Sequence, residues 1–332
     1  MGIYRFLLAI LVAISHIGIP FKFYGYNPGV VAVISFFLLS GYVMTSLIEK
    51  YYKTPYNVTG FYVDRVARLF PQYMFYFLVA SICIYFFDIS SDFINHLTLG
   101  KWLLNIPILP LGLYMYWDDG ALVIPQAWSL GLEMTFYLIM PWIVRYFSLR
   151  MITTLMVLSI GVFLAAYAGR IDSDWYGYRL LPGTLFIFIT GALFHQKEGI
   201  YHICIKIIFL LSGALLLLAY QTTSLYQLPY NKEVLLGILI GIPVIGVLKN
   251  VQFSTTDEFF GNLSYGVFLN HFIVLWMIDK FYVINDGNYR AMIIISISCF
   301  LAFVSYVFVE IPALTWRRRL RSAAHAKAAI AQ

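Results

Sequence analysis

The chain has 332 residues, of which 61% are hydrophobic and only 11% are charged, and its formal net charge is +6. Soluble domains carry about 25% charged residues, so this composition excludes a water-soluble globular protein and predicts that most of the surface faces lipid. The sequence shows no nucleic-acid-binding signature. Its three cysteines lack disulfide or metal-ligand spacing, and we expect no metal site.

Ten segments are apolar enough to cross a membrane, which takes about 20 residues per helix. The sequence therefore predicts an all-α polytopic membrane protein of about ten transmembrane helices over residues 1–311, followed by a basic tail over residues 312–332. A cleaved signal peptide is the alternative for residues 1–20, although the cleavage pattern is poor. The predicted spans are residues 3–20, 29–48, 70–90, 124–144, 151–168, 180–195, 203–220, 234–248, 259–280 and 291–311.

The lysines and arginines predict the orientation of these spans. If both termini are cytoplasmic, about two thirds of the 22 lysines and arginines lie on the cytoplasmic side, as the positive-inside rule requires. We therefore expect both termini, and the basic tail that can bind anionic lipid, to be cytoplasmic.

Ionisable side chains within membrane helices are costly and usually functional. Arg5 and His16 are eleven positions apart, about 20° past three helical turns, so they share one helix face with a rise of about 16 Å. Glu133 and His271 lie about 12 Å and 18 Å into the fourth and ninth spans, at about 1.5 Å per residue. Three spans thus place ionisable groups at similar depth, although each group alone also fits a snorkelling or internally bonded side chain.

Two further features suit ligands at opposite membrane faces. Arg65 and Arg68 lie one turn apart at the predicted cytoplasmic edge of the third span, and paired guanidiniums suit phosphates; the positive-inside bias is the alternative. Outside, the loop of residues 91–122 contains Trp117, Asp118 and Asp119. Because aromatic rings and carboxylates suit sugars, we expect these three residues to help hold an acceptor glycan, with an interfacial aromatic belt as the alternative.

Six motifs in chain order resemble those of the integral-membrane acyltransferase family 3, along nearly the whole chain. There are departures from the family pattern: Phe268 stands where Tyr is common, Asn270 where Trp is common, and Ile311 where Arg is frequent. The usual Pro is also missing after Ile273. The motifs are Arg5 with His16, GVVAVISFFLLSGYV, the R-x-x-R of Arg65 and Arg68 before Leu69 and Pro71, WSLGLE, SYGVFLNHFIV and VEIP.

The resemblance implies an enzyme of the bacterial inner membrane. It implies transfer of an acyl group, usually acetyl, from cytoplasmic acetyl-CoA to a hydroxyl of a surface polysaccharide or lipid-linked glycan. His16 would be the general base, and Glu133 would orient the imidazole or balance its charge. The candidate residues are, for catalysis, His16, Glu133 and His271; for the CoA phosphates, Arg5, Arg65 and Arg68; and for the acceptor, Trp117, Asp118, Asp119 and Trp128.

Two other classes of function stay open at this point. A transporter or flippase also uses intramembrane Arg, His and Glu as a substrate or proton pathway, but the inverted repeats common in transporters are not evident here. A structural or sensory protein with polar contacts between its helices does not explain the shared face of Arg5 and His16 together with the arginine pair. The sequence leaves the oligomeric state open.

Overall fold

A computed structural model describes residues 1–18, 25–53, 57–317 and 319, and within them eight helices are long and apolar enough to cross a membrane. Two more of the predicted spans correspond to shorter helices, α1 with 16 residues and α7 with 13. The prediction of an all-α polytopic membrane fold is confirmed. The count of ten spans and the cytoplasmic location of the termini remain predictions.

The helices follow one another closely, and most of their bounds lie within a few residues of the predicted spans. In chain order they are α1 (Gly2–Ile17), α2 (Pro28–Tyr51), α3 (Val58–Phe87), α4 (Leu99–Leu104), a 3₁₀ segment (Leu109–Tyr116), a 3₁₀ turn (Pro125–Ala127), α5 (Trp128–Arg145), α6 (Leu149–Tyr167), a π turn (Trp175–Arg179), α7 (Leu181–Leu193), α8 (Gly199–Gln221), α9 (Thr223–Gln227), α10 (Asn231–Leu248), α11 (Thr255–Phe281), α12 (Gly287–Ser305) and a second π turn (Tyr306–Glu310).

Two predicted boundaries differ from the structure. Helix α3 begins at Val58, where Asn57 caps it by accepting a hydrogen bond from the amide of Gly60, so the arginine pair lies inside the helix and not at its start. The last span continues through its π turn to Arg317, beyond the predicted end at residue 311. Of the predicted basic tail, residues 318 and 320–332 lie outside the described residues.

The chain divides into two compact units. Unit 1 comprises Met1–Phe21, Tyr51–Gly131 and Phe253–Gln332, and so contains α1, α3, α4, α11 and α12. Unit 2 comprises Lys22–Lys50 and Leu132–Gln252, and so contains nearly all of α2, most of α5, and α6 to α10.

In unit 1, α1 and α11 pack side by side and run in the same direction. The amides of Gly2 and Ile3 donate to the Asp257 carboxylate at 2.7 and 3.0 Å, which caps the start of α1. A Cβ at Gly2 would lie 1.7 Å from the Asp257 carbonyl oxygen, so the helices meet there backbone to backbone. Fourteen residues further along each helix, His16 faces His271. The parallel register therefore brings the two histidines together.

In unit 2, helices α2, α5 and α7 meet around Phe188. Its ring lies 4.7 Å from that of Phe37 and 4.3 Å from that of Phe136, between ring centroids. A Cβ at Gly41 would lie 1.8 Å from the Phe188 carbonyl oxygen, and one at Gly191 would lie 1.9 Å from that of Leu38. Small residues thus let α2 and α7 approach closely, as is common between membrane helices.

Candidate active site

Two histidines form the centre of the candidate site in unit 1. His16 Nδ1 lies 3.2 Å from His271 Nε2, and the two rings are nearly parallel with centroids 5.3 Å apart. The His16 ring is exposed, whereas His271 is completely buried. The buried His271 ring can therefore orient the His16 ring through their hydrogen bond, and the exposed His16 ring can contact a substrate.

The hydrogen bonds of the pair define which nitrogens carry protons. His271 Nδ1 lies 3.3 Å from the carbonyl oxygen of Val267, and because a carbonyl only accepts, Nδ1 of the neutral ring must carry its proton. Nε2 of His271 is then the acceptor and His16 Nδ1 the donor. In the neutral His16 tautomer so selected, Nε2 bears the lone pair. That nitrogen is the one able to take a proton from a hydroxyl group.

Apolar side chains enclose the buried half of this pair. The Phe272 ring lies 4.7 Å from the His16 ring and 5.1 Å from the His271 ring, and Phe268 contacts His271 edge-on at 6.4 Å. A low-dielectric wall of this kind strengthens the hydrogen bond between the rings.

The arginine pair lies at another place in unit 1, and each arginine contacts a buried carboxylate. Arg65 Nε donates to Asp64 at 3.1 Å, and Arg68 forms an ion pair with Glu310. The Arg68 guanidinium also lies over the Tyr265 ring, 5.6 Å from its centroid. The π turn that ends at Glu310 sets the register that brings this carboxylate to the arginine.

A third guanidinium joins this cluster from the end of the last helix. Arg317 Nε donates to Asp64 at 2.9 Å, and Arg317 is close enough to Glu310 for their charges to interact. Within the described part of the chain, the three guanidiniums outnumber the two carboxylates that hold them. The cluster therefore keeps a positive charge with its side chains fixed, an arrangement that suits an anion.

Glu133 belongs to unit 2, where other side chains hold it. Its carboxylate accepts hydrogen bonds from the hydroxyls of Ser40 and Tyr137. Tyr137 lies one helical turn after Glu133 on the same face of α5. Ser129, one turn before Glu133, donates instead to the Gln126 carbonyl at 3.2 Å.

The outer loop that we predicted to bind sugar is held together by its own contacts. Asp118 accepts hydrogen bonds from the Lys101 ammonium, from the Gly120 amide at 2.8 Å and from His96 at 3.1 Å. The bond from Lys101 is the main reason that the pKa of Asp118 lies at about 2, below its usual 3.8. The Trp117 indole donates to the Pro110 carbonyl at 3.0 Å. Both residues thus have structural partners.

Of the remaining candidates, Asp119 belongs to this loop, whereas Trp128 and Arg5 lie on helices. Asp119 is exposed, and Trp128 is nearly buried at the start of α5, 9% exposed. Arg5 lies one turn into α1, partly exposed. Asn270 is buried beside the histidine pair and donates to Tyr76 and to the Ser298 carbonyl.

Sequence reasoning missed the partners of the predicted residues. The contact of His16 with His271 depends on the parallel packing of α1 and α11, which no local pattern reports. Asp64 stands directly before Arg65, and Glu310 opens the E-x-P motif, so both were visible as acidic groups but not as partners of the arginines. Arg317 carried no signal beyond the general basicity of the tail.

Comparison with known proteins identifies a family along nearly the whole chain. A family model described as an acyltransferase domain, that of acyltransferase family 3, matches residues 3–310. Among individual relatives, the chain is 32% identical to an uncharacterized protein of Aquifex aeolicus over 194 residues, covering 57% of this chain and 85% of the relative. No solved structure matches the chain.

Two named relatives are more distant and longer. The chain is 21% identical to the peptidoglycan O-acetyltransferase OatA of Listeria monocytogenes and 24% identical to the putative O-acetyltransferase SACOL0978 of Staphylococcus aureus. The matches cover 92% and 87% of this chain. They cover only 54% of each relative, so this chain spans about half the length of these two proteins.

Proposed function

The chain belongs to acyltransferase family 3, and on that premise we propose that it is a membrane O-acetyltransferase that uses cytoplasmic acetyl-CoA to modify a hydroxyl of an extracytoplasmic glycan. Its relatives named as O-acetyltransferases support the acetyl group and the oxygen acceptor. The name of one of them, a peptidoglycan O-acetyltransferase, supports a cell-surface glycan. We propose the bacterial inner membrane as the location, because a protein that spans it can reach both cytoplasmic acetyl-CoA and an extracytoplasmic glycan.

The histidine pair is the observation that carries this proposal. With His271 accepting from His16 Nδ1, the lone pair of His16 Nε2 can take the proton of the acceptor hydroxyl as its oxygen attacks the thioester carbonyl. The carbon–sulfur bond then breaks, and the thiol of CoA takes the proton back from His16. His271 stays neutral and holds the tautomer, so we assign it as a positioning residue and His16 as the general base.

The arginine cluster supports an anionic donor. Arg65, Arg68 and Arg317 together carry one more charge than Asp64 and Glu310 neutralise, and the carboxylates orient the guanidiniums before any ligand arrives. Phosphate groups of the CoA nucleotide match such planar donors. Arg5 lies on the His16 helix, nearer its start, and we retain it as a further contact for the donor.

In this proposal Glu133 has a role different from that of the histidine pair. Its contacts with Ser40 and Tyr137 hold a carboxylate within unit 2, and we propose that its charge supports the reaction without orienting His16. Trp128, Trp117, Asp118 and Asp119 remain proposed acceptor contacts. The structural partners of Trp117 and Asp118 favour a role in shaping the loop.

The experiment that tests this function uses the purified full-length protein in detergent with labelled acetyl-CoA and a cell-envelope glycan extract. We expect label in the glycan fraction with the parent protein. His16→Ala should lower the rate by about 10²–10⁴-fold, which is the usual contribution of general-base catalysis. The matched control is His202→Ala, a partly exposed histidine of unit 2 on α8, which should keep full activity.

The same experiment separates an enzyme from a transporter. Movement of a glycan across a liposome membrane without covalent label would contradict the proposed function. Equal label transfer by His16→Ala and the parent would remove His16 from the mechanism, provided that both proteins melt at the same temperature.

A further inference from the structure

Unit 2 contains an aromatic cluster that the proposed mechanism does not use. Lys232, at the start of α10, places its ammonium 3.9 Å from the centroid of the Tyr226 ring and 5.6 Å from that of Tyr26. The rings of Tyr220 and Tyr226 lie 5.5 Å apart, and the hydroxyls of Tyr26 and Tyr220 form a hydrogen bond. Two stretches of the chain, the one just before α2 and the one from the end of α8 to the start of α10, thus supply one cage of three tyrosines around one cation.

This cage is accessible. Tyr220 is 54% exposed, and Tyr26, Tyr226 and Lys232 are half-buried. Tyrosines are enriched at membrane interfaces in general, but here two of the rings also lie over one ammonium, that of Lys232. Gly25 adopts a φ of +82°, and a Cβ there would lie 3.7 Å from the Tyr226 hydroxyl. The chain is therefore shaped around the cage.

A buried acid next to the cage lacks part of its hydrogen bonding. Glu233 is 5% exposed, and its Oε1 accepts from the Asn27 amide at 3.3 Å. Its Oε2 is buried without a partner among the described residues. An unpaired buried acceptor costs free energy, and a hydroxyl donor from a ligand would remove that cost.

The backbone beside this acid is strained. Tyr230, which precedes α10, has a φ of +62°, a backbone conformation that residues other than glycine rarely adopt. The centroid of its ring lies 5.0 Å from that of the Tyr178 ring. The Arg179 guanidinium lies over both rings, 5.6 Å from the Tyr230 centroid and 5.3 Å from the Tyr178 centroid. Strained residues of this kind cluster at ligand sites.

We propose that this cluster is a binding site for a sugar unit that bears an anionic substituent. The CH face of the sugar ring stacks on Tyr226 and Tyr220, a hydroxyl donates to Glu233 Oε2, and the anionic group pairs with Lys232. The anion is a carboxylate or a phosphate, which share this chemistry. The inference rests on the proposed function, since an enzyme that acylates glycans needs a site that selects them.

The test measures binding directly, by titration calorimetry on the full-length protein in detergent. One pair of probes is the disaccharide N-acetylglucosaminyl-N-acetylmuramic acid and N,N′-diacetylchitobiose, which differ by a lactyl carboxylate. A second pair, N-acetylglucosamine 6-phosphate and N-acetylglucosamine, differs by a phosphate. We expect the parent to bind the anionic member of at least one pair more tightly, and the pair that shows the difference identifies the anion.

The variants assign the contacts. Tyr226→Ala should weaken binding of all the sugars by about tenfold, Tyr226→Phe should keep most of the affinity because the ring remains, and Lys232→Gln should remove only the preference for the anion. Tyr289→Ala is the control, because Tyr289 is an exposed tyrosine that belongs to unit 1. It should bind as the parent does.

Unchanged affinity in Tyr226→Ala and Lys232→Gln, or no saturable binding by the parent, would overturn the site. If Tyr226→Ala does not fold, Tyr220→Ala replaces it, because Tyr220 is the other ring on which the sugar is proposed to stack. Acetyl transfer is measured separately with the parent. If the parent binds sugar saturably but transfers no acetyl group, the proposed function is contradicted and the sugar site is kept. If the parent transfers acetyl groups but the variants bind sugar as the parent does, the sugar site is contradicted and the proposed function is kept.

Discussion

At the scale of single residues, the role of His271 is the sharpest consequence of the structure. If it acts by accepting from His16 Nδ1, then His271→Gln keeps an acceptor oxygen at similar reach and should retain part of the activity. His271→Leu removes the acceptor, leaves the other His16 tautomer accessible, and should lower kcat by about 10²-fold while KM changes little. Steady-state kinetics at saturating and limiting acetyl-CoA measure both constants.

Glu133 provides the comparison for that prediction. The sequence predicted that Glu133 orients the His16 imidazole or balances its charge. Because His16 contacts His271 within unit 1, we propose that His271 takes the orienting role. Glu133→Gln should therefore leave the pH dependence of kcat in place, and His271→Leu should shift it, because only the second change alters the hydrogen bond on His16. A shift in Glu133→Gln alone would return the positioning role to the carboxylate.

The pKa of Asp118 leads to a prediction about pH. Because its folded pKa of about 2 lies below the usual 3.8, the carboxylate contributes stability that is fully present above the unfolded pKa and is lost as the pH falls through the folded pKa. The difference in melting temperature between the parent and Asp118→Asn should thus be constant above about pH 5, fall as the pH drops toward about 2 and vanish near about pH 1. Asp119→Asn, exposed in the same loop, should match the parent throughout.

At the scale of helices, close backbone contact explains why some glycines tolerate no side chain. Gly41→Ala would bring a methyl group to 1.8 Å from the Phe188 carbonyl oxygen, so α2 and α7 must separate, at a cost of about 1–3 kcal/mol or more. Gly161→Ala in α6 meets nothing within 4 Å and should stabilise the helix by up to about 1 kcal/mol. Thermal unfolding in detergent should move the two melting temperatures in opposite directions; a similar fall in both would contradict this packing.

The helices were largely predictable, and their pairing was not. Hydrophobic length marks a span because a bilayer imposes it, so the apolar segments emerged from the sequence with bounds near those observed. Helix α3 begins twelve residues before the predicted span, because hydrophobic length marks only the apolar part of a helix. Asp64, Arg65 and Arg68 lie before that part, and ion pairs hold them within the helix. His16 was found from its spacing to Arg5, which is local. The approach of α11 to α1 is a tertiary contact between residues 255 positions apart, and one sequence contains no periodic signal for it.

At the scale of the whole molecule, the proposed function requires a defined orientation in the membrane, since acetyl-CoA is cytoplasmic and the acceptor is not. The distribution of lysines and arginines predicts that residues 91–122 lie outside and Lys197 inside. Asp119 and Lys197 are both exposed, so cysteines placed there can react with a maleimide. The native Cys83, Cys204 and Cys299, all half-buried, are first replaced by alanine.

In intact spheroplasts, a membrane-impermeant maleimide should label Asp119→Cys and leave Lys197→Cys unlabelled, and lysis should make both react. The cysteine-free parent controls for background, and the reaction after lysis shows that both thiols are accessible. Labelling of Lys197→Cys alone in intact cells would reverse the orientation. The arginine cluster of the proposed donor site and the tyrosine cage of the proposed sugar site would then face the wrong compartments for their ligands, and both assignments would fail together even if the fold of each unit stood.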